Sequence, residues 1–200
     1  DLHSFPTRRS SDLVLRQELK RHHAYGIVSP EADERFRQAL LDFKPKLEIG
    51  VSEEDEKNFV GDFLKKAFYD GNNAVRIGAH HNIDCQIHVN NDASSPIGVI
   101  IENKYSKAKG NEMVRDGDMM HKAFYETILY YLREREAKNN SLRRIVITNM
   151  ETWFIFDALD YDRIFYHSNL LRKFRDFTAK RVSDASTAAF YAECEGFVKQ

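Results

Sequence analysis

Residues 83–89 carry the pattern that most restricts the fold of this chain, because apolar and polar side chains alternate there without interruption, as Ile-Asp-Cys-Gln-Ile-His-Val. Such alternation predicts a half-buried β-strand. A turn-forming segment at 90–96 separates it from a second β-forming run at 97–104, Ile-Gly-Val-Ile-Ile-Glu-Asn-Lys. The two runs are therefore predicted to pair as an antiparallel hairpin.

The register of this hairpin decides which side chains meet. If Val89 faces Ile97, Asp84 lies opposite Glu102, and cross-strand partners are ~5 Å apart. A slip of one residue would turn Asp84 into the core, and a slip of two would keep both acids on one face without facing each other. The apolar positions expected to form the core on the other face are Ile83, Cys85, Ile87, Val89, Val99 and Ile101.

Two carboxylates at that distance repel each other unless positive charge lies between them. Asp84 and Glu102 are thus candidate ligands for Mg²⁺, which takes one or two carboxylates and keeps waters for a phosphate substrate. Lys104 is the next residue on the same face, where it can orient or activate water and stabilise developing negative charge. The alternative is an ordinary salt bridge on a solvated strand edge.

The other segments favour an α/β (α+β) fold, a small mixed sheet flanked by helices. Helices are predicted to begin after Ser29 and Ser52, because each is a good N-cap followed by acidic residues. Further helices are predicted at about 118–138, 170–180 and 186–198, and further strands at 74–77, 144–148 and 153–157.

Composition limits the function classes. The 200 residues suit one domain, and a net charge of −1 argues against a generally basic nucleic-acid-binding surface. Two cysteines form neither a disulfide framework nor a cysteine-based zinc site. No apolar run approaches the ~20 residues that span a bilayer. A cytoplasmic protein with no membrane partner is the expectation.

The residues Asp84 and Glu102-Asn103-Lys104 resemble the Asp…Glu-x-Lys signature of the PD-(D/E)XK nuclease superfamily, although Ile83 stands where that pattern has proline. The order of a helix, a three-stranded meander, a helix and a strand is also similar to the restriction-endonuclease-like core. Three longer phrases within residues 25–200 resemble the N-terminal nuclease region of type IIG restriction–modification enzymes. They are SPIGVIIENK, KAFYETILYYLRERE and IVITNMETWFIFDA.

The resemblance implies a Mg²⁺-dependent, site-specific DNA endonuclease, a hydrolase acting on phosphodiester bonds of double-stranded DNA. Asp84 and Glu102 would be the metal ligands, and Lys104 would complete the catalytic set. A covalently linked methyltransferase, which would use S-adenosylmethionine, and a DNA-recognition region are expected downstream of a fragment such as this. The alternative is a catalytically silent DNA-binding or interaction module on a nuclease-like scaffold.

Three sections of the chain are predicted. Residues 1–13 resemble a translated sequencing adapter and are interpreted as non-native, a native polar arm being the alternative. Residues 14–50 are predicted to form an N-terminal helical segment, and residues 51–200 the nuclease-like domain.

Other side chains carry a functional and a structural interpretation. Glu54 adds a metal contact or stabilises its helix dipole, and Lys122 with Glu126 faces the site or forms a plain surface pair. His88 lies on the Asp84 face, whereas His80 and His81 are interpreted as structural or exposed. Two basic sets contact DNA or are merely solvated: Lys104, Lys107, Lys109 and Arg115 in a loop, and Arg172, Lys173, Arg175, Lys180 and Arg181 near the C-terminus.

Overall fold

The computed structural model describes residues 28–49, 52–69, 76–80, 83–107 and 112–199. The adapter-like residues 1–13, and residues 14–27 and 50 of the predicted segment 14–50, lie outside these ranges. None of the helices in the described ranges combines the length and apolar character needed to cross a bilayer.

A five-stranded mixed sheet forms the centre of the molecule, as the sequence predicts. The strands lie side by side in chain order, and every neighbouring pair is antiparallel except β3 and β4, which are parallel. A parallel pair needs a crossover, and helix α3 supplies it. The strands are β1 (Ile77–His80), β2 (Ile83–His88), β3 (Ile97–Asn103), β4 (Arg144–Thr148) and β5 (Trp153–Asp157).

Helices surround this sheet and begin at identifiable caps. Ser29 accepts a hydrogen bond from the backbone N–H of Ala32, and Ser52 forms a reciprocal capping box with Asp55. The helices are α1 (Pro30–Phe43), α2 (Glu53–Leu64), α3 (Lys122–Glu136), α4 (Ala158–Tyr161), α5 (Asn169–Thr178) and α6 (Thr187–Val198). Short 3₁₀ or π-helical turns extend α1, α2 and α4 at Lys44–Leu47, Lys65–Tyr69 and Asp162–Tyr166.

Two apolar clusters pack against the sheet. The α2 core joins α1 and α2 to the strands through residues such as Phe43, Val60 and Ile101. The α3 core contains residues of the four helices α3, α4, α5 and α6, which pack against strand residues such as Ile100 and Ile145. Consecutive strand residues Ile100 and Ile101 enter different cores, so helices cover both faces of the sheet. Helix α1, which lies in the predicted segment 14–50, packs in the α2 core.

The predicted hairpin register is correct next to the acids and wrong near the turn. Cys85 pairs with Ile101 and Ile87 with Val99, as expected. A bulge then pairs His88 with Ile97, so Val89 does not face Ile97 and is 51% exposed. The bulge adds one residue to one strand, a local change that alternation alone cannot predict.

Several other expectations need correction. Strand β2 is buried on both faces and not half-buried, because Gln86 and His88 are covered as well. Ile83 packs in the α3 core, away from Cys85. Strand β1 begins at Ile77, where the predicted strand 74–77 ends, and residues 74 and 75 lie outside the described ranges.

The predicted helix 118–138 begins later, at Lys122. Asp118 bridges Arg115 through backbone hydrogen bonds, and its carboxylate accepts one from the Met120 N–H. A turn of this kind competes with a helix for the same backbone groups.

Candidate active site

A polar cleft of about 720 Å³ opens where the start of β2, the end of β3, the first turns of α2 and the start of α3 come together. Six carboxylates and three lysines line it, so its formal charge is negative. The carboxylates are Glu53, Glu54, Asp84, Glu102, Glu112 and Glu126, and the lysines are Lys57, Lys104 and Lys122.

Glu102 lies near the end of β3, beside Ile147 of β4, and is only 2% exposed. Its Oε1 accepts a hydrogen bond from Lys104 Nζ at 2.7 Å, while its Oε2 is buried with no hydrogen-bond partner among the described residues. Burial raises the pKa of the Glu102 carboxyl well above its ordinary value, and the charges of Asp84 and Glu126 add to the increase. Lys104 acts in the opposite direction and lowers this pKa. Burial and the two acidic neighbours of Glu102 therefore outweigh the one cation, Lys104, that contacts it.

Asp84 lies on β2, next to the Cys85–Ile101 pair, so the same register places it beside Glu102. The Asn103 N–H donates to Asp84 Oδ2 at 3.0 Å, and Lys57 Nζ lies 2.9 Å from Asp84 Oδ1. The same Lys57 Nζ lies 2.9 Å from Glu53 Oε1, one helical turn earlier on α2. Asp84 thus enters the cleft and not the core, as the hairpin model requires.

Lys104 follows β3 directly, and its backbone N–H donates to Thr148 O at 2.8 Å, which fixes the end of the strand. Its ammonium group contacts Glu102, Glu126 and, at 3.7 Å, Glu112. Burial alone would lower the pKa of Lys104, but Glu102 and Glu126 outweigh that effect and hold the pKa above its ordinary value. Lys104 is therefore a fixed, charged ammonium group.

The structure brings Glu126 into the site on α3, one turn after Lys122. Lys122 pairs mainly with Glu112, at 3.1 and 3.2 Å, and only loosely with Glu126, at 3.8 Å. Lys122 and Glu126 thus both face the cleft, and the Glu126 carboxylate contacts Lys104. Of the acids on α2, Glu54 lines the cleft, while Glu53 makes the contact with Lys57.

Glu56, on α2, is a buried acid with a different task. It is 2% exposed and accepts hydrogen bonds from both the N–H and the hydroxyl of Ser106, two residues after Lys104. Glu56 thereby ties the end of β3 to α2. A sequence signal exists, because Glu56 precedes the buried Val60 by four residues and so shares the apolar face of α2.

The family of the chain follows from a comparison with protein-family models. The model of DUF7149, a domain of unknown function, matches residues 13–200. The chain belongs to the DUF7149 family. Neither the curated proteins nor the solved structures include a match.

The donor set of the DUF7149 site fits a small, hard cation. No trio of His, Cys, Asp or Glu side chains in the described ranges is arranged to hold a metal ion. The fit rests instead on two oxygen donors, Asp84 and Glu102, and on the buried Oε2 of Glu102, to which no described group donates a hydrogen bond. An ion that binds one or two carboxylates and otherwise water and substrate oxygens matches this set.

A second cleft of about 630 Å³ adjoins the first, and Glu53, Lys104 and Glu112 border both. Its other lining residues come from the loop after β3 and from the β4–β5 turn, and they include Arg115 and Asn149. Of the predicted basic loop residues, Lys107 is exposed and Lys109 lies outside the described ranges. Lys104 therefore lies between two connected depressions.

Three residues of the second basic set, Arg172, Lys173 and Arg175, lie in the amphipathic helix α5, and Lys180 and Arg181 follow its end at Thr178. In α5, Leu171 and Phe174 are buried in the α3 core, while Lys173 pairs with Glu193 and Arg175 with Glu136. His88 has structural contacts: its Nδ1 lies 2.7 Å from Ser95 O, and the guanidinium of Arg76 lies within hydrogen-bond distance of its ring. The side chains of His80 and His81 lie outside the described residues.

Proposed function

We propose that this DUF7149 domain is a Mg²⁺-dependent endonuclease of the PD-(D/E)XK type, the cutting module of a type IIG-like restriction–modification enzyme acting on double-stranded DNA. The observation that carries the proposal is Glu102, a buried carboxylate in the same cleft as Asp84 and Lys104, one oxygen of which has no hydrogen-bond partner among the described residues. These three residues are the ones that the nuclease-like motif singles out.

The fold supports the proposal by its order of elements. Helix α2, the β1–β2–β3 meander, helix α3 and strand β4 follow each other as the nuclease resemblance implies. The meander holds Asp84 and Glu102 on neighbouring strands, and α3 covers the face from which they project. A fold alone does not specify a reaction, so the chemistry of the cleft carries the greater weight.

The carboxylates of Asp84 and Glu102 are the groups that would hold Mg²⁺. When bound, such an ion lowers the pKa of a water molecule and stabilises negative charge on a phosphate. Its charge would also reduce the repulsion among Asp84, Glu102 and Glu126, which Lys104 alone does not overcome at Glu102. Because carboxylates outnumber lysines in the cleft, DNA phosphates are repelled from it, and a bound cation is expected to be needed for close approach.

Lys104 has a definite role in this scheme. The contacts with Glu102 and Glu126 hold the pKa of Lys104 above its ordinary value, so the group that faces the attacking water in this scheme is a charged ammonium. It can donate hydrogen bonds to a phosphate oxygen or to that water, and it adds a cation where negative charge develops. Glu126 fixes the ammonium group from the α3 side, which restricts its position before substrate arrives.

Cleavage of a supercoiled plasmid in Mg²⁺ by the protein of the native gene that contains this sequence tests the proposal. The wild-type protein is expected to yield nicked and linear DNA, and Glu102→Ala or Lys104→Ala to slow cutting by roughly 100-fold or more. Binding to the same DNA should persist in a gel-shift assay. Lys173→Gln, a change on the distant surface of α5, is the matched control and should cut normally. Unchanged cutting in both site variants would refute the assignment.

A DNA-binding module without catalysis is the second candidate, and one observation favours it. Lys57 contacts Asp84 and Lys104 contacts Glu102, so each carboxylate already has an internal cation. This candidate predicts DNA binding by the wild-type protein with no Mg²⁺-dependent cutting, the opposite outcome of the same assay.

A further inference from the structure

The ammonium group of Lys57 contacts Asp84, one of the two proposed metal ligands. Its Nζ is 2.9 Å from Asp84 Oδ1 and 2.9 Å from Glu53 Oε1, and the side chains of Lys57 and Asp84 are only 21% and 16% exposed. Burial works to lower the pKa of Lys57, but the hydrogen bonds to Asp84 and Glu53 outweigh it and raise the pKa. Lys57 is therefore a charged group held close to Asp84.

The two lysines of the strand-end carboxylates are not equivalent. Lys104 contacts Oε1 of Glu102, and Oε2 has no hydrogen-bond partner in the part of the chain that the structure describes. Both oxygens of Asp84 have a partner, because the Asn103 N–H donates to Oδ2 and Lys57 Nζ contacts Oδ1. A metal ion shared by Asp84 and Glu102 would meet Lys57 on the Asp84 side, and two cations at one oxygen repel each other.

Glu53 is a second carboxylate partner of Lys57. It lies four residues before Lys57 on α2, in the favourable acid-before-base order, and its side chain is 56% exposed. A small rotation of the flexible lysine chain would keep the Glu53 contact while releasing Asp84. Displacement then costs one partly exposed ion pair and leaves no buried charge unpaired.

We propose that Lys57 is a tethered cation that neutralises Asp84 in the metal-free protein, releases Asp84 but keeps its contact with Glu53 when a divalent ion binds, and so sets the metal affinity of the site. The inference rests on the proposed metal site and adds its regulation. In the metal-free protein Lys57 limits the repulsion between Asp84 and Glu102. In the loaded protein the ion takes over that task.

Isothermal titration of Mg²⁺ and of Ca²⁺ into the metal-free 200-residue chain tests this directly, with no need for cutting activity. Lys57→Gln removes the competing charge, and the dissociation constant is expected to fall about 10-fold, the equivalent of ~1.4 kcal/mol. Lys57→Met is a second variant with the same expectation. Circular dichroism of both variants shows whether they fold.

Lys122→Gln is the matched control, because it removes one positive charge from the same cleft while Lys122 pairs with Glu112 and Glu126. Its effect on metal affinity should be no more than about 2- to 3-fold, since only the general field of the cleft changes. Lys57→Arg, which keeps the charge, should bind metal no more tightly than the wild type.

The outcomes separate this inference from the proposed function. If the wild type binds metal and Lys57→Gln binds with unchanged or weaker affinity, the tethered-cation role is wrong and the metal site stands. Equal gains in Lys57→Gln and Lys122→Gln would also overturn it. If neither the wild type nor the Lys57 variants bind either ion, the metal site itself fails, and this inference fails with it.

Discussion

Lys104 shows how one side chain serves both the packing of this domain and its proposed chemistry. Its ammonium group lies among three carboxylates, and its side chain is only 11% exposed. Removing the cation would leave Glu102 and Glu126 close together in a poorly solvated place. Loss of one partner from a buried ion pair generally costs more than the pair contributes when intact.

Lys104→Met is accordingly expected to lower the free energy of unfolding by roughly 3 kcal/mol at neutral pH, measured by urea denaturation. Adding Glu126→Gln should restore part of the loss, because one of the repelling charges disappears. A double variant as unstable as Lys104→Met alone would show that the repulsion is not the cause.

Single-residue predictions from the sequence succeeded where alternation determines the geometry. Asp84 and Glu102 share a cleft because each lies one residue from a core position, Cys85 or Ile101. The contact between Lys57 and Asp84 could not be predicted, because it depends on how α2 crosses the sheet. Strand and helix periodicities specify faces but not the orientation of one element on another.

Among the elements, α5 is held to α3 by a charged pair at the end of each helix. Arg175 donates to both oxygens of Glu136, at 2.6 and 3.0 Å, and Tyr166 donates to the same carboxylate at 3.3 Å. The hydrogen bonds from Arg175 are the main reason that the pKa of Glu136 lies below its ordinary value. The ionised form is therefore favoured in the folded state.

This gives a pH dependence with a definite sign. Because the pKa is lower in the folded protein, the contribution of Glu136 to stability is present above its ordinary pKa and is lost as the pH falls through the depressed one. Glu136→Gln should lower the thermal midpoint at pH 7 by about 1–2 °C, as expected for a surface pair in a domain of this size. Scanning calorimetry should show the difference vanish in acid; a constant difference at all pH values would contradict it.

Element prediction was good where elements have separate signals and poor where they merge. Strands β4 and β5 lie at the predicted residues 144–148 and 153–157. Helix α4 was not predicted, because Asp157 ends β5 and also caps the helix, so no loop separates them. The acid that ends one element here begins the next.

At the scale of the whole molecule, the sheet separates two apolar cores, and we expect each to contribute to the free energy of unfolding independently of the other. Ile101 is 1% exposed in the α2 core, and Ile128 of α3 is fully buried in the α3 core. Side chains in different clusters do not share packing partners, so their truncations should not interact. One cooperative transition is nevertheless expected, because both cores use the same strands.

Ile101→Ala and Ile128→Ala are each expected to cost about 3 kcal/mol, and the double variant the sum of the two within ~0.5 kcal/mol. Chemical denaturation of the four proteins closes the cycle. Leu159→Ala, at a position that is 52% exposed, is the control and should change stability little. An interaction energy above ~1 kcal/mol would mean that the two cores are coupled through the sheet.

The contacts of α2 have a practical meaning for anyone who shortens this protein. Glu56 and Ser106 are 50 positions apart in the chain, yet Glu56 anchors the segment that carries Lys104. A shortened version that starts after residue 69 would retain Asp84, Glu102 and Lys104 and would pass any motif search. It would also lack the anchor of Lys104 and the cation beside Asp84. Any transferable unit of this site therefore includes α2 from its cap at Ser52, well before the first residue of the motif.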